Sequence, residues 1–297
     1  MALHLCRPTY YSPNNKVSVN NLKIPIVFIL VFCLQGCVLS PVERTHKLAT
    51  KLGFERQILK SADFRHLAYF SNIKSEKKTL HVYLEGDGLP WVSPQKISAD
   101  PTSRSPVMLP LMAMDNQPAV YIGRPCYLGF SEDPGCNASL WTFSRYSRKV
   151  VNGMTEVIQQ VLSRYGFTSV RLFGHSGGGT LAVLIARSLP ETRAVVTLAG
   201  NLDVDAWAEY HHYTPLLGSL NPVKGVALNP AIYQLHLQAS NDEVVPPRLA
   251  QKWVARQTNT DVCLYPEFDH GCCWGDIWPK VLAQISRGLG QGFCSYD

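Results

Sequence analysis

Ser176 is the residue best placed to do chemistry. It lies in Gly174-His175-Ser176-Gly177-Gly178-Gly179, after the apolar run SVRLF (169–173) and before TLAVLIARSL (180–189). The first run reads as a strand and the second as an amphipathic helix, so the serine falls on a strand-to-helix turn. A serine forced onto so tight a turn has a strained backbone, and its neighbours two positions away must lack side chains. Gly174 and Gly178 satisfy that demand. The turn lifts the hydroxyl out of the sheet and aims the Gly177 amide, with the positive end of the helix, at the place where a tetrahedral oxyanion would form. A phosphate-binding loop is the rival reading, and it lacks the Lys that such a loop requires after its glycines.

The elements around the turn must position it. TLHVYL (79–84), AVYI (119–122), AVVTL (194–198), QLHLQ (234–238) and residues 261–264 read as short strands. Residues 146–162 carry Val150, Val151, Met154, Val157, Ile158, Val161 and Leu162 on one helical face, and Gly166 follows as a stop. Further helices are expected over 180–188, 249–256 and 277–285. Strands alternating with helices predict an α/β fold, a mostly parallel central sheet with helices on both faces. Residues 205–229, rich in aromatic, Pro and Gly residues, break the rhythm and read as a small insertion after the sixth strand of such a sheet. The expected organisation is a leader over 1–36, an N-terminal segment over 37–78 and one catalytic domain over 79–297.

From about Thr79 onward the chain resembles the α/β-hydrolase superfamily, on the strength of the strand-GHSGGG-helix unit and its strand order. That resemblance implies a nucleophile, acid and base in the order Ser, acid, His. The acid usually lies in the turn following QLHLQAS, where Asn241-Asp242-Glu243-Val244-Val245-Pro246 stands, and this implies Asp242. Asp203 and Asp205, one strand earlier, are the alternative. The base is expected in a loop past the last strand, where Pro266-Glu267-Phe268-Asp269-His270-Gly271 places His270. The side chain of His175, inside the turn, is expected to point away from Ser176. The second oxyanion donor comes, in the superfamily, from a His-Gly turn after an early strand. Here Glu85-Gly86-Asp87-Gly88 stands at that place, which implies the amide of Asp87 and leaves Glu85 as a departure. Gly123 to Ser131 matches a Gly-rich loop of the superfamily, with Tyr127 and Phe130 as pocket candidates. The implied reaction is hydrolysis of a carboxylic ester or thioester through an acyl-enzyme. The implied substrate is a small-molecule or lipid acyl compound. A peptidase or acyltransferase with the same triad, or a catalytically silent binding lipoprotein, stays open beside it. No metal or organic cofactor is implied.

The first residues speak to location. Lys23 precedes an apolar stretch, Ile24 to Leu34, that ends in Gln35-Gly36-Cys37. A basic segment followed by a short apolar one reads as an export signal, too short for a comfortable membrane span. Leu34-Gln35-Gly36-Cys37 resembles a bacterial lipobox, which implies lipid on Cys37 and a bacterial envelope protein anchored to a membrane. Gln35 departs from the usual small residue, and a plain signal peptide or an uncleaved apolar anchor are the alternatives. Arg7, Lys16 and Lys23, with no acidic residue among the first 36, account for half of the net charge of +6. No run of Lys and Arg forms a nucleic-acid stripe, so that class of partner is excluded. Of nine cysteines, six follow Cys37: Cys126, Cys136, Cys263, Cys272, Cys273 and Cys294. Their even number in an exported chain predicts disulfides, with Cys126–Cys136 as the local pair. The pairing of the other four stays open, and a bond from Cys272 or Cys273 to Cys263 or Cys294 would pin the loop that carries His270. Regular zinc-ligand spacing is absent.

Overall fold

A computed structural model describes residues 39–287 and Cys294. The leader and Cys37 therefore lie outside the described residues. An eight-stranded sheet organises the chain, in the order β1-β2-β6-β3-β7-β8-β9-β10. Its strands are β1 (Glu55–Lys60), β2 (Arg65–Ser71), β3 (Thr79–Leu84), β6 (Ala119–Ile122), β7 (Ser169–His175), β8 (Thr192–Leu198), β9 (Tyr233–Ala239) and β10 (Thr260–Tyr265). From β6 through β10 neighbouring strands run parallel, whereas β1–β2 and β2–β6 are antiparallel. The predicted α/β architecture is thus the observed one. β4 (Trp91–Ser93) and β5 (Lys96–Ile97) form a separate hairpin.

The helices are α1 (Pro41–Lys51), α2 (Met108–Met112), α3 (Arg148–Tyr165), α4 (Gly177–Ala186), α5 (Val204–Tyr210), α6 (Gln251–Val254) and α7 (Trp274–Arg287). They cover both faces of the sheet, which is why the central strands are buried on both sides: β3, β7, β8 and β9 have few residues that are not buried. α3 starts where Ser147 accepts from the Val150 amide and stops at Gly166, whose φ of 70° only glycine adopts at little cost. α4 has almost no polar face because it is buried throughout.

Residues 41–71 are more than a segment preceding the fold. α1 begins with a capping box between Ser40 and Glu43, and β1 and β2 extend the parallel sheet by two strands. The insertion after the sixth sheet strand, β8, contains α5 and a 3₁₀ turn at Pro222–Lys224. Among the described residues there are three disulfides, Cys126–Cys136, Cys263–Cys294 and Cys272–Cys273. The first is the expected local pair. Among the four whose pairing was open, β10 places Cys263 beside Cys294 and leaves the adjacent Cys272 and Cys273 to each other. Among the described residues no helix is long and apolar enough to cross a membrane.

Candidate active site

Parallel strands bring their carboxyl ends to one edge, and the connections leaving those ends make the site. Leu84 of β3 pairs with Gly174 of β7, His175 with Leu198 of β8, and Ala239 of β9 with Tyr265 of β10. The segments that follow hold Glu85–Asp87, Ser176, Asp242 and His270.

Ser176 has φ 53° and ψ −120°, a left-handed conformation foreign to a serine, at the junction of β7 and α4. Its amide donates to Leu198 O at 2.8 Å, and its carbonyl accepts from Gly179 N at 2.9 Å and Asn201 N at 3.2 Å. These bonds hold the strained turn in place. A Cβ on Gly174 would collide with the Gly178 carbonyl, and one on Gly178 would collide with the Leu84 carbonyl. The glycines around the serine are thus required by close backbone approach, as their spacing predicts.

Asp242 and His270 are brought together as expected. His270 Nδ1 lies 2.8 Å from Asp242 Oδ2, and the Asp242 side chain is fully buried. The other carboxylate oxygen accepts from Val244 N at 2.9 Å and Val245 N at 2.7 Å. The turn sequence Asp-Glu-Val-Val therefore orients the acid through its own backbone. Asp203 and Asp205, the alternatives, are occupied elsewhere: Asp203 caps α5 and binds Asn221, and Asp205 pairs with Lys224. Ser176 and His270 line one cavity of about 770 Å³ together with Glu85, Asp87, Arg145 and Trp207.

The His175 ring turns toward His270. Nε2 donates to the His270 carbonyl at 2.7 Å, and the two rings sit 4.8 Å apart. The reason is the loop after β10, which folds back over the end of β7. Burial, with the neighbouring His270 charge adding to it, holds His175 at a pKa of about 4, so it is neutral. Glu85 Oε1 is 3.8 Å from His175 Nδ1. The Glu85 carboxyl accepts from Gly86 N and Met108 N, both at 3.1 Å, and burial raises its pKa.

Asp87 is more than a backbone donor. Its side chain packs against Gly177, where a Cβ would strike Oδ1. Arg124 Nη1 donates to Oδ1 at 2.7 Å, Arg145 Nη1 donates to Oδ2 at 2.9 Å, and the Tyr146 hydroxyl also donates to Oδ2. Burial opposes ionisation of this carboxyl, but the two guanidinium groups outweigh it and hold the pKa at about 2. Tyr127 Oη donates to the Asp87 carbonyl at 3.1 Å. Tyr127 is thus a support behind Asp87 rather than a wall of the large cavity. Phe130 lies under the Arg65 guanidinium, away from the site. The sequence reading did not single out Arg145 or Tyr146. Their only local signal is a pair of polar residues just ahead of α3, and the partner carboxylate is 58 residues away for Arg145.

Comparison with known proteins bears on the fold. Residues 123–201, which include the serine turn, match the family described as lipase (class 3). No curated protein matches the sequence. Among solved structures, an esterase of Pyrococcus furiosus superposes with a TM-score of 0.58 at 12% identity, covering 81% of this chain and 94% of that one. A carboxylesterase of Bacillus subtilis gives 0.54 at 11% identity, covering 84% and 100%. An acylaminoacyl peptidase of Pyrococcus horikoshii gives 0.57 at 15% identity, covering 82% of this chain but 43% of that one. The chain has the α/β-hydrolase fold and is similar to esterases and lipases of that superfamily.

Proposed function

We propose that the protein is a serine hydrolase that cleaves carboxylic esters or thioesters through an acyl-enzyme. The observation that carries this reading is the 2.8 Å bond between His270 Nδ1 and Asp242 Oδ2 on the wall of the cavity that Ser176 enters from a strained turn. In the first step Ser176 Oγ attacks the acyl carbonyl carbon while His270 Nε2 takes its proton. Asp242 fixes the proton on Nδ1 and stabilises the imidazolium. The carbonyl oxygen becomes an oxyanion facing the Gly177 amide and the N-terminus of α4, with the Asp87 amide as second donor. The imidazolium then protonates the departing alcohol or thiol. Water, deprotonated by His270, attacks the acyl-enzyme and releases the acid and Ser176. His175 bonds the His270 carbonyl and so keeps the base loop over the serine.

We propose further that Cys37, in the lipobox-like Leu34-Gln35-Gly36-Cys37, carries lipid and anchors the protein to a bacterial envelope membrane. Two or more acyl chains on one cysteine suffice for stable anchoring. The test is a panel of acyl esters of increasing chain length assayed with the parent protein and Ser176→Ala. Turnover by the parent with loss of several orders of magnitude in the variant is expected. Equal turnover by both would remove the proposal.

A further inference from the structure

The Asp87 cluster sets two guanidinium groups against one carboxylate. Arg124 and Arg145 are both nearly fully buried, with side-chain exposures of 4% and 7%. Buried charge is costly unless it is matched. Arg124 stands at the rear, where Nη1 binds Asp87 and Nη2 binds the Glu85 carbonyl, while its buried Nε has no partner among the described residues. Asp87 is the partner of both guanidinium groups, one on each carboxylate oxygen.

Arg145 is also the guanidinium that lines the cavity beside Ser176 and His270. Its Nε donates to the Thr142 carbonyl at 2.7 Å and its Nη1 to Asp87, whereas Nη2 makes no hydrogen bond among the described residues. Trp207 lies against the guanidinium, with the ring centroid 5.9 Å away, and limits its movement. The other carboxyl on the wall, Glu85, is tied to the Gly86 and Met108 amides, and burial raises its pKa. His175 is neutral.

We infer that the cleft takes an acyl substrate bearing a carboxylate, and that Arg145 is the residue that holds it. This rests on the hydrolase reading above and narrows its substrate class. A carboxylate fits better than a phosphate monoester, because a single guanidinium nitrogen is left to bind it and the wall also holds the Glu85 and Asp87 carboxyls. A planar guanidinium with one unused nitrogen offers a charge-assisted bond to a carboxylate oxygen.

The experiment compares kcat/KM for two matched pairs of esters. One pair carries the charge on the acyl side, 4-nitrophenyl hydrogen glutarate against 4-nitrophenyl hexanoate. The other carries it on the leaving side, 4-acetoxybenzoate against phenyl acetate. In the parent, the anionic member of one pair is preferred by roughly tenfold or more, the scale of a charge-assisted bond. Arg145→Gln brings that ratio down by the same factor. Arg145→Lys, which keeps the charge but not the fork, retains part of it. The ratio is read per active molecule, so partial misfolding of a variant does not alter it. No anionic preference in either pair, or a ratio unchanged in Arg145→Gln, overturns the inference and leaves Arg145 as a support for Asp87. A fluorophosphonate probe is run on the same preparation. Labelling at Ser176 without an anionic preference overturns the substrate assignment alone, and failure to label overturns the hydrolase reading and this inference with it.

Discussion

Asp242→Asn separates the role of the acid from its place in the fold. Oδ1 of Asp242 accepts from the Val244 and Val245 amides at 2.9 and 2.7 Å, and an asparagine oxygen can accept the same two bonds. The side chain is buried, so this orientation is favoured over one that leaves both amides orphaned. The new Nδ2 then occupies the position of Oδ2, 2.8 Å from His270 Nδ1. Two donors cannot share that contact. His270 responds by moving its proton to Nε2, the nitrogen that must accept the Ser176 proton. The fold should lose only about 1 kcal/mol, the difference between charged and neutral acceptors. The reaction should lose about 10³–10⁴-fold in kcat, or roughly 4–5.5 kcal/mol of transition-state stabilisation, with KM little changed. The assay is steady-state hydrolysis of a short-chain aryl ester, paired with thermal unfolding of the same sample. A variant that keeps its melting temperature and more than a tenth of parental kcat would refute the assignment of Asp242. Asp242→Ala is the contrast: it also strands the Val244 and Val245 amides, so it should melt well below the asparagine variant.

Other expectations follow from the same structure. Replacing Cys126 and Cys136 by Ala removes a bridge with a sequence separation of 10, which should lower stability by about 2–3 kcal/mol on the chain-entropy model. Denaturant unfolding measures this, and an unchanged midpoint would count against it. His66, His175 and His236 are buried and held at pKa values of about 4, chiefly by desolvation, against an unfolded value near ~6.5. Between those values the unfolded chain binds more protons, so stability falls as the pH drops from about 6.5 toward 4 and has no slope from these groups above 7. A melting temperature that stays constant from pH 7 to pH 4.5 would contradict the assignment of neutral buried imidazoles. Cys37→Ser should move the protein from the membrane fraction to the soluble fraction of the envelope. Equal membrane retention with an intact leader would favour an uncleaved apolar anchor instead.

The candidate site was legible where its signals are short-range. Ser176 is announced by six adjacent residues between a strand and a helix, and Asp242 and His270 follow from the α/β-hydrolase resemblance, each in a turn after a segment that reads as a strand. Their pairing needs no more than a parallel sheet, because such a sheet brings those ends to one edge. The Arg124, Arg145 and Asp87 cluster was not legible, since its members are separated by 37 and 58 residues and share no motif. The contact of His175 with the His270 carbonyl was not legible because it depends on a loop 95 residues later. β1 is largely exposed at the sheet edge, so ERQILK lacks the clean alternation of a half-buried strand, whereas the box at Ser40 and Glu43 was a readable start signal for α1. The Cys272–Cys273 bond has no signal beyond adjacency, and the choice between it and the longer links is made by where β10 places Cys263.

The central claim is that Ser176 is the nucleophile, and covalent capture tests it most directly. The parent protein is treated with a fluorophosphonate and digested, and the modified residue is located by mass spectrometry. The account predicts a single adduct on the peptide containing Gly174–Gly179, absent from Ser176→Ala and strongly reduced in Asp242→Asn. An adduct on another serine, or one that persists unchanged in Ser176→Ala, would contradict it.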